Sequence, residues 1–129
     1  MDWRLYTPSD HDMVAWWWRG WNWPVIPPAS LPNIGVIVSN ERHDCCASFL
    51  YKTDSNMCLV DWYISNPSAP KHARNGSIEF MNEVMAQIAK DIGYSVIFSS
   101  IKNKHLIKKL ETSGFTNRED GMTNLIRIL

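Results

Sequence analysis

Apolar and polar residues alternate along this chain in two regimes that meet near Asn66. Before that point the apolar runs are short and cut by turns. IGVIVS (34–39) reads as a strand, NERHD as a polar turn and CCASFLYK (45–52) as a second strand. KTDSN then turns into MCLVDWYIS (57–65), which gives two antiparallel hairpins. After Asn66 the spacing becomes helical. Ile78, Met81, Val84, Met85, Ile88 and Ile92 recur at three- and four-residue steps, Glu79 and Glu83 sit early, and Gly93 ends the run. YSVIFSS (94–100) has the look of a buried strand. Asn103 is placed to cap a second helix through Leu106, Ile107 and Leu110, closed by Gly114. FTNRE, the Asp120-Gly121 turn and MTNLIRIL predict a closing hairpin.

Upstream, Ser9 and Asp10 are good N-caps for a short helix running to about Trp21, with Gly20 able to end it. Pro24, Pro27, Pro28 and Pro32 make the next segment a stiff, ordered loop. The order is helix, three antiparallel strands, long helix, strand, helix, hairpin. A crossover of this length between strands makes a parallel pair. The expectation is one α+β domain over residues 1–129, a mixed and mostly antiparallel twisted sheet with one central parallel pair and helices on both faces.

Composition narrows the partners. The formal net charge is zero, so no overall field draws nucleic acid or anionic lipid, and neither is an expected partner. No apolar run has the length to span a bilayer. The start MDWRLYTPSD lacks a basic region followed by an apolar run, so no export signal is read there. Cys45, Cys46 and Cys58 are odd in number and two are adjacent, which points to reduced thiols in a cytoplasmic protein. His43 with these cysteines resembles a metal set only loosely, and buried thiols acting as small apolar groups are the better reading.

The loop KHARNGS carries the clearest chemistry. A helix N-terminus offers unpaired amides and partial positive charge, which favour phosphate. Lys71, His72 and Arg74 stand just ahead of Ser77, Asn75 lies between, and Gly76 allows close backbone approach. On CLVDWYIS a period of two puts Cys58, Val60, Trp62 and Ile64 on one face and Leu59, Asp61, Tyr63 and Ser65 on the other. The second face pairs an acid with a phenol, as an active-site wall would. Asp61 reads as a base or as a hydrogen-bonded strand carboxylate; Tyr63 reads as a proton donor or as a core aromatic with a wet tip. His105 either reaches the same cleft or is a surface residue among lysines. Lys102, Lys104, Lys108 and Lys109 form a basic helix edge, solvated or in contact with a phosphate.

The element order, KHARNGS and NKHLIKKLETSGF (103–115) together resemble the GCN5-related N-acetyltransferases, over about Ile34 to Leu129. That resemblance implies parallel strands splayed around the pantetheine arm of acetyl-CoA, or of another acyl-CoA. It also implies pyrophosphate on the amides opening the central helix, and a bulged strand whose backbone at Ile64 and Ser65 holds the thioester carbonyl. On this reading Ile64, Ser65, Lys71, His72, Arg74, Asn75, Gly76, Ser77 and Asn103 bind the cofactor. Asp61 and Tyr63 carry catalysis, and an acyl group passes directly to an amine in a ternary complex. Two departures stand out: Arg74 replaces the family's first loop glycine, and Leu110 stands where a proton-donating tyrosine often falls. They leave a second reading, the same fold kept as a catalytically inactive binding module for a protein partner. Compact proteins of this fold occur in phage genomes, which adds a host component to the acceptor classes. The acceptor is otherwise a small-molecule or protein amine, and the chain is compatible with a homodimer.

Five tryptophans fall between His11 and Pro24, at Trp16, Trp17, Trp18, Trp21 and Trp23. Trp17 and Trp21 stack at i and i+4 on a helix, the core-forming spacing. With only Arg19 on the polar side, a membrane-surface helix is disfavoured. Residues 1–33 lie on the acceptor side in the family, so Trp16, Trp18 and Trp23 are the candidates to floor an acceptor pocket while Trp17 and Trp21 pack the core.

Overall fold

The computed structural model describes residues Met1–Leu129. A five-stranded sheet runs in the order β1 (Asp2–Leu5), β2 (Ile34–Asn40), β3 (His43–Tyr51), β4 (Met57–Ser65) and β5 (Val96–Phe98). The first four strands are antiparallel, and β4 pairs parallel to β5. Helix α1 (His11–Gly20) precedes β2; the short α2 (Lys71–Arg74) and long α3 (Ser77–Asp91) join β4 to β5; α4 (Lys104–Thr112) follows. No helix is long and apolar enough to cross a membrane.

The sheet separates two apolar layers. Val36, Val38, Cys46, Leu50, Cys58 and Val60 face α3 and α4, meeting Ile78, Met81, Met85, Ala89 and Leu110. On the other face Ile37, Ala47, Phe49 and Ile64 meet Val14, Trp17 and Trp18 of α1. The alternation along β2 and β3 thus assigns every second side chain to each layer, as strand pleating requires.

Several sequence expectations change. Asp2–Leu5 is a strand, paired with Val36–Ser39; its polar–apolar alternation runs over only four residues and buries none of them, too short a signal to announce it. Asp10 is the N-cap position of α1 as expected, but Ser9 is not: a 3-10 turn over Pro8–Asp10 comes first, capped at Thr7, whose N–H donates to the Asp10 carboxylate at 2.8 Å. The closing hairpin does not form. From Phe115 onward the chain makes no ladder; Arg118 pairs with Glu111 and Asp120, and Ser100 Oγ donates to Asn124 Oδ1 at 3.1 Å. The parallel pair consequently stands at the sheet's end, and β5 is a half-open edge with Val96 and Phe98 exposed instead of a buried strand.

Trypsin should therefore cut after Arg118 before it cuts after Arg42 in the β2–β3 turn, read by mass spectrometry of timed aliquots. Equal rates would mean that the final residues are as protected as the sheet.

Candidate active site

β4 and β5 pair at only three positions, Met57↔Val96, Cys58↔Ile97 and Leu59↔Phe98. Beyond them side-chain bonds replace the ladder. Ser99 Oγ donates to the Val60 carbonyl at 2.6 Å, and the Ser100 N–H donates to Asp61 Oδ1 at 3.0 Å. The strands part there. Opposite this point β4 bulges: its register against β3 jumps from Phe49↔Asp61 to Ala47↔Ile64, so Trp62 and Tyr63 face Ser48 alone. Trp62 sits at φ +58°, a left-handed conformation that bulky residues rarely adopt.

The bulge breaks the period of two. Tyr63 joins Cys58 and Val60 on the α3 and α4 face, while Ile64 packs toward α1 with Phe49. Asp61 and Tyr63 therefore do not share one wall, as strict alternation predicted. They flank the parted strand from its two sides.

On the Tyr63 side lies a cleft of about 210 Å³. Tyr63, Ile64 and Ser65 form its β4 wall and Ile78 its α3 wall, with Asn103, His105, Leu106 and Lys109 from α4 and its N-cap. Trp21, Trp23 and Arg74 close the remaining side. Asn103 caps α4 as its sequence position suggested, accepting from the Leu106 N–H at 3.0 Å.

At the head of α3, Gly76 takes φ +82°, and Phe80 is the first residue whose N–H bonds back, to the Gly76 carbonyl at 3.0 Å. The N–H groups of Gly76, Ser77, Ile78 and Glu79 have no intramolecular partner. Beside them Arg74 Nε is a buried donor without a partner. Buried donors are seldom left so, and an anion held there would satisfy it together with the amides. α2 is pinned beneath: the Ala73 carbonyl accepts from Asn40 Nδ2 at 3.1 Å.

The other loop residues stand apart from the cleft. Lys71 is exposed, and His72 Nδ1 lies 2.6 Å from Glu41 Oε2, so its ring is engaged away from the amides. Asn75 ends α2 and is exposed. Cys45, Cys46 and Cys58 are free, buried thiols; burial pushes Cys46 up to about 12. No group of three or more His, Cys, Asp or Glu side chains is arranged to hold a metal ion.

Burial raises the Asp61 carboxyl to about 6, with the Ser100 N–H pulling the other way. Tyr63 is also pushed well above an ordinary phenol, by burial first, and its hydroxyl lies 3.5 Å from Ser99 Oγ. Since Ser99 spends its own proton on Val60, Tyr63 is the donor in that pair. On the Asp61 side, the indole N–H of Trp62 donates to Tyr51 Oη at 2.6 Å, and Tyr51 donates to the Ser30 carbonyl at 2.6 Å. Leu110, at the position of the usual tyrosine, is buried in the α3–α4 core.

The tryptophans divide differently from their helical spacing. Trp17 and Trp18 are each 2% exposed and belong to the core, so Trp18 has no face to offer an acceptor. Trp16 is 68% exposed and does not line the cleft. Trp23 does line it, and so does Trp21, which the i, i+4 spacing had assigned to the core. α1 ends at Gly20, so Trp21 lies beyond the helix and escapes its periodicity. Ser99 and Ser100 went unread as well, because serines closing a short apolar run give no signal in sequence that a sheet parts beside them.

Neither a protein-family model nor a curated protein matches the sequence. Solved structures do match its shape. A ribosomal-protein-alanine N-acetyltransferase from Brucella melitensis superposes with a TM-score of 0.69 at 13% identity, covering 99% of this chain and 100% of that one. An acetyltransferase from Trypanosoma brucei gives 0.67 at 11% identity, covering 97% and 99%. AAC(6')-Iy, in complex with the bisubstrate analog CoA-S-monomethyl-acetylneamine, gives 0.66 at 13% identity and 98% of both chains. With these whole-chain matches, a parallel pair that parts beside a bulged strand and unbonded amides opening the central helix, the chain has the fold of the GCN5-related N-acetyltransferases.

Proposed function

We propose that this chain is an N-acyltransferase that moves an acyl group, most simply acetyl, from acyl-CoA to an amine held in the same complex. The observation that carries the reading is a parted-strand cleft lined by Arg74 and Ile78, at the head of α3 where four amides and the buried Arg74 Nε are unpaired. A slender amide-bearing arm ending in pyrophosphate is the ligand whose shape and charge fit both halves. Gly76 to Glu79 and Arg74 hold the pyrophosphate, and Ile64, Ser65, Ile78 and Leu106 enclose the arm.

Acyl-CoA supplies an activated acyl carbon. Asp61 removes the proton that the attacking amine loses as its nitrogen bonds to that carbon. Tyr63, across the strand, offers its O–H to the sulfur as the carbon–sulfur bond breaks. Burial makes Tyr63 hold its proton, so it stabilises the departing thiolate by hydrogen bonding, and the sulfur is finally protonated from water. A thiol of ordinary pKa near 8.5 leaves adequately on such terms. This arrangement gives Leu110 no duty in proton transfer and removes the main objection to catalysis. The acceptor enters on the side of Asp61, Trp62 and Tyr51 and is a small-molecule or protein amine.

Calorimetry with CoA tests the cradle. Arg74→Ala should weaken binding by roughly tenfold to a hundredfold, since a charge-assisted hydrogen bond contributes about 1.5–3 kcal/mol. Equal affinity of parent and variant would remove Arg74 from the site, and a parent that binds no CoA would end the reading.

A further inference from the structure

The end of α1 is fastened to the phosphate loop. Gly20 packs so closely on the residues after β4 that a Cβ there would lie 2.6 Å from Pro67 Cγ. The next residue, Trp21, donates its indole N–H to the Ser65 carbonyl at 2.8 Å, a bond spanning 44 positions of sequence. The Arg74 guanidinium carbon lies 6.0 Å from the centre of the same indole, within cation–π reach. Asn22 then takes a left-handed turn at φ +58°, and Trp23 comes back to stack on Trp21 at 6.1 Å and 29°. Arg74 itself has no carboxylate partner, and its Nε is buried without a bond. Of the ring contacts around it, only Trp21 offers the guanidinium a defined face.

We infer that Trp21 is a positioning residue for Arg74: it holds the guanidinium over the amides at the head of α3 and couples the N-terminal helix to diphosphate binding. The role replaces the glycine-lined loop that Arg74 interrupts. An arginine there is tolerable only if its long side chain is kept to one side, and the Trp21 ring, itself anchored on β4 and backed by Trp23, supplies that constraint. Trp21 touches the cofactor's binding group and not the reacting atoms. The inference rests on the acyl-CoA reading for the identity of the ligand, while the chemistry recognised is the diphosphate.

The test is a double-mutant cycle by calorimetry with Trp21→Leu, Arg74→Ala and the pair, against three probes: CoA, pantetheine without phosphates, and inorganic pyrophosphate. Trp21→Leu should lower CoA affinity roughly threefold to thirtyfold, the range of a partly desolvated cation–π contact. It should leave pantetheine affinity within about twofold and add no further loss in the Arg74→Ala background. Gly20→Ala, which pushes the same turn away from Pro67 without touching the ring, should reproduce the loss. Equal weakening of CoA and pantetheine would make Trp21 a mere wall of the cleft, and additive losses would make it independent of Arg74; either result overturns the inference. A parent that binds pyrophosphate through Trp21 and Arg74 but not CoA would keep the positioning role and sink acyl transfer. A parent that binds neither would sink both.

Discussion

Asp61→Asn should leave CoA affinity nearly unchanged and lower turnover by a factor on the order of 10² to 10⁴, the usual share of a positioned general base. The substitution suits the site because Asn keeps an oxygen for the Ser100 N–H while removing the charge. The parent's pH profile should carry the signature of the same group. Burial raises Asp61 to about 6, so the base is protonated below that value and ready above it. Turnover per encounter should rise through about pH 6 and flatten toward neutrality, and the asparagine variant should lose that rise. A variant with parental rate, or a parent whose rate is flat between pH 5 and 7, would leave Asp61 a structural carboxylate. Calorimetry on the same samples separates this outcome from lost cofactor binding.

The raised value also fixes a direction for stability. Asp61 binds its proton more tightly when folded than when unfolded, so its protonated form favours the fold. That contribution is complete below the unfolded carboxylate value of about 3.9 and disappears as the pH rises through about 6. At neutral pH the parent keeps a half-buried charge offset by one N–H, that of Ser100. Asp61→Asn should accordingly be no less stable than the parent at pH 7 by thermal melting, and the advantage should shrink toward pH 4. A loss of activity with stability kept is the expected mark of a carboxylate retained for chemistry.

The fold was legible where periodicity is strong. β4 was bounded correctly at Met57–Ser65, α3 by its three- and four-residue spacing, and α4 by Asn103 and Gly114. β1 escaped notice because its alternation spans only four residues, all of them exposed, and the MTNLIRIL run has strand-like composition that the structure does not use. In the site, the helix start at Ser77 with Gly76 before it was legible from residue types, whereas Lys71, His72 and Asn75 of the same segment turn away from the cleft. The division of labour around β4 was not legible. One extra residue at Trp62–Tyr63 sends Tyr63 to the far side of Asp61, and a bulge of that kind depends on pairing with Ser48 across the sheet. Trp21 was misassigned for a related reason: helical spacing says nothing about a residue just past the helix end, whose place is set by Ser65 and Arg74 far along the chain.

The five clustered tryptophans make the second large prediction, since the structure sorts them by burial into groups with different consequences. Trp17→Ala and Trp18→Ala should each cost about 3–5 kcal/mol, the range for emptying a buried aromatic site. Both rings are 2% exposed; Trp18 lies 6.3 Å from the Phe49 ring, in the layer that also holds Val14, Ile37 and Ile64. A domain of this size has roughly 5–15 kcal/mol in total, so either substitution should leave it partly unfolded at room temperature or shift its urea midpoint strongly downward. Trp16→Ala, next to them in sequence but turned to solvent, should change the stability by less than about 0.5 kcal/mol. Trp23→Ala, on the cleft wall at 37% exposed, should fall between these limits and show its main effect on ligand binding. Fluorescence provides the cross-check: the Trp16→Ala protein should lose red-shifted, readily quenched emission, whereas CoA should protect Trp21 and Trp23 from the quencher. Urea titrations in which Trp16→Ala destabilises as much as Trp17→Ala would show that α1 presents a different face to the sheet. Because that face sets where the chain leaves the helix, Trp21 would then lose its place beside Arg74 as well.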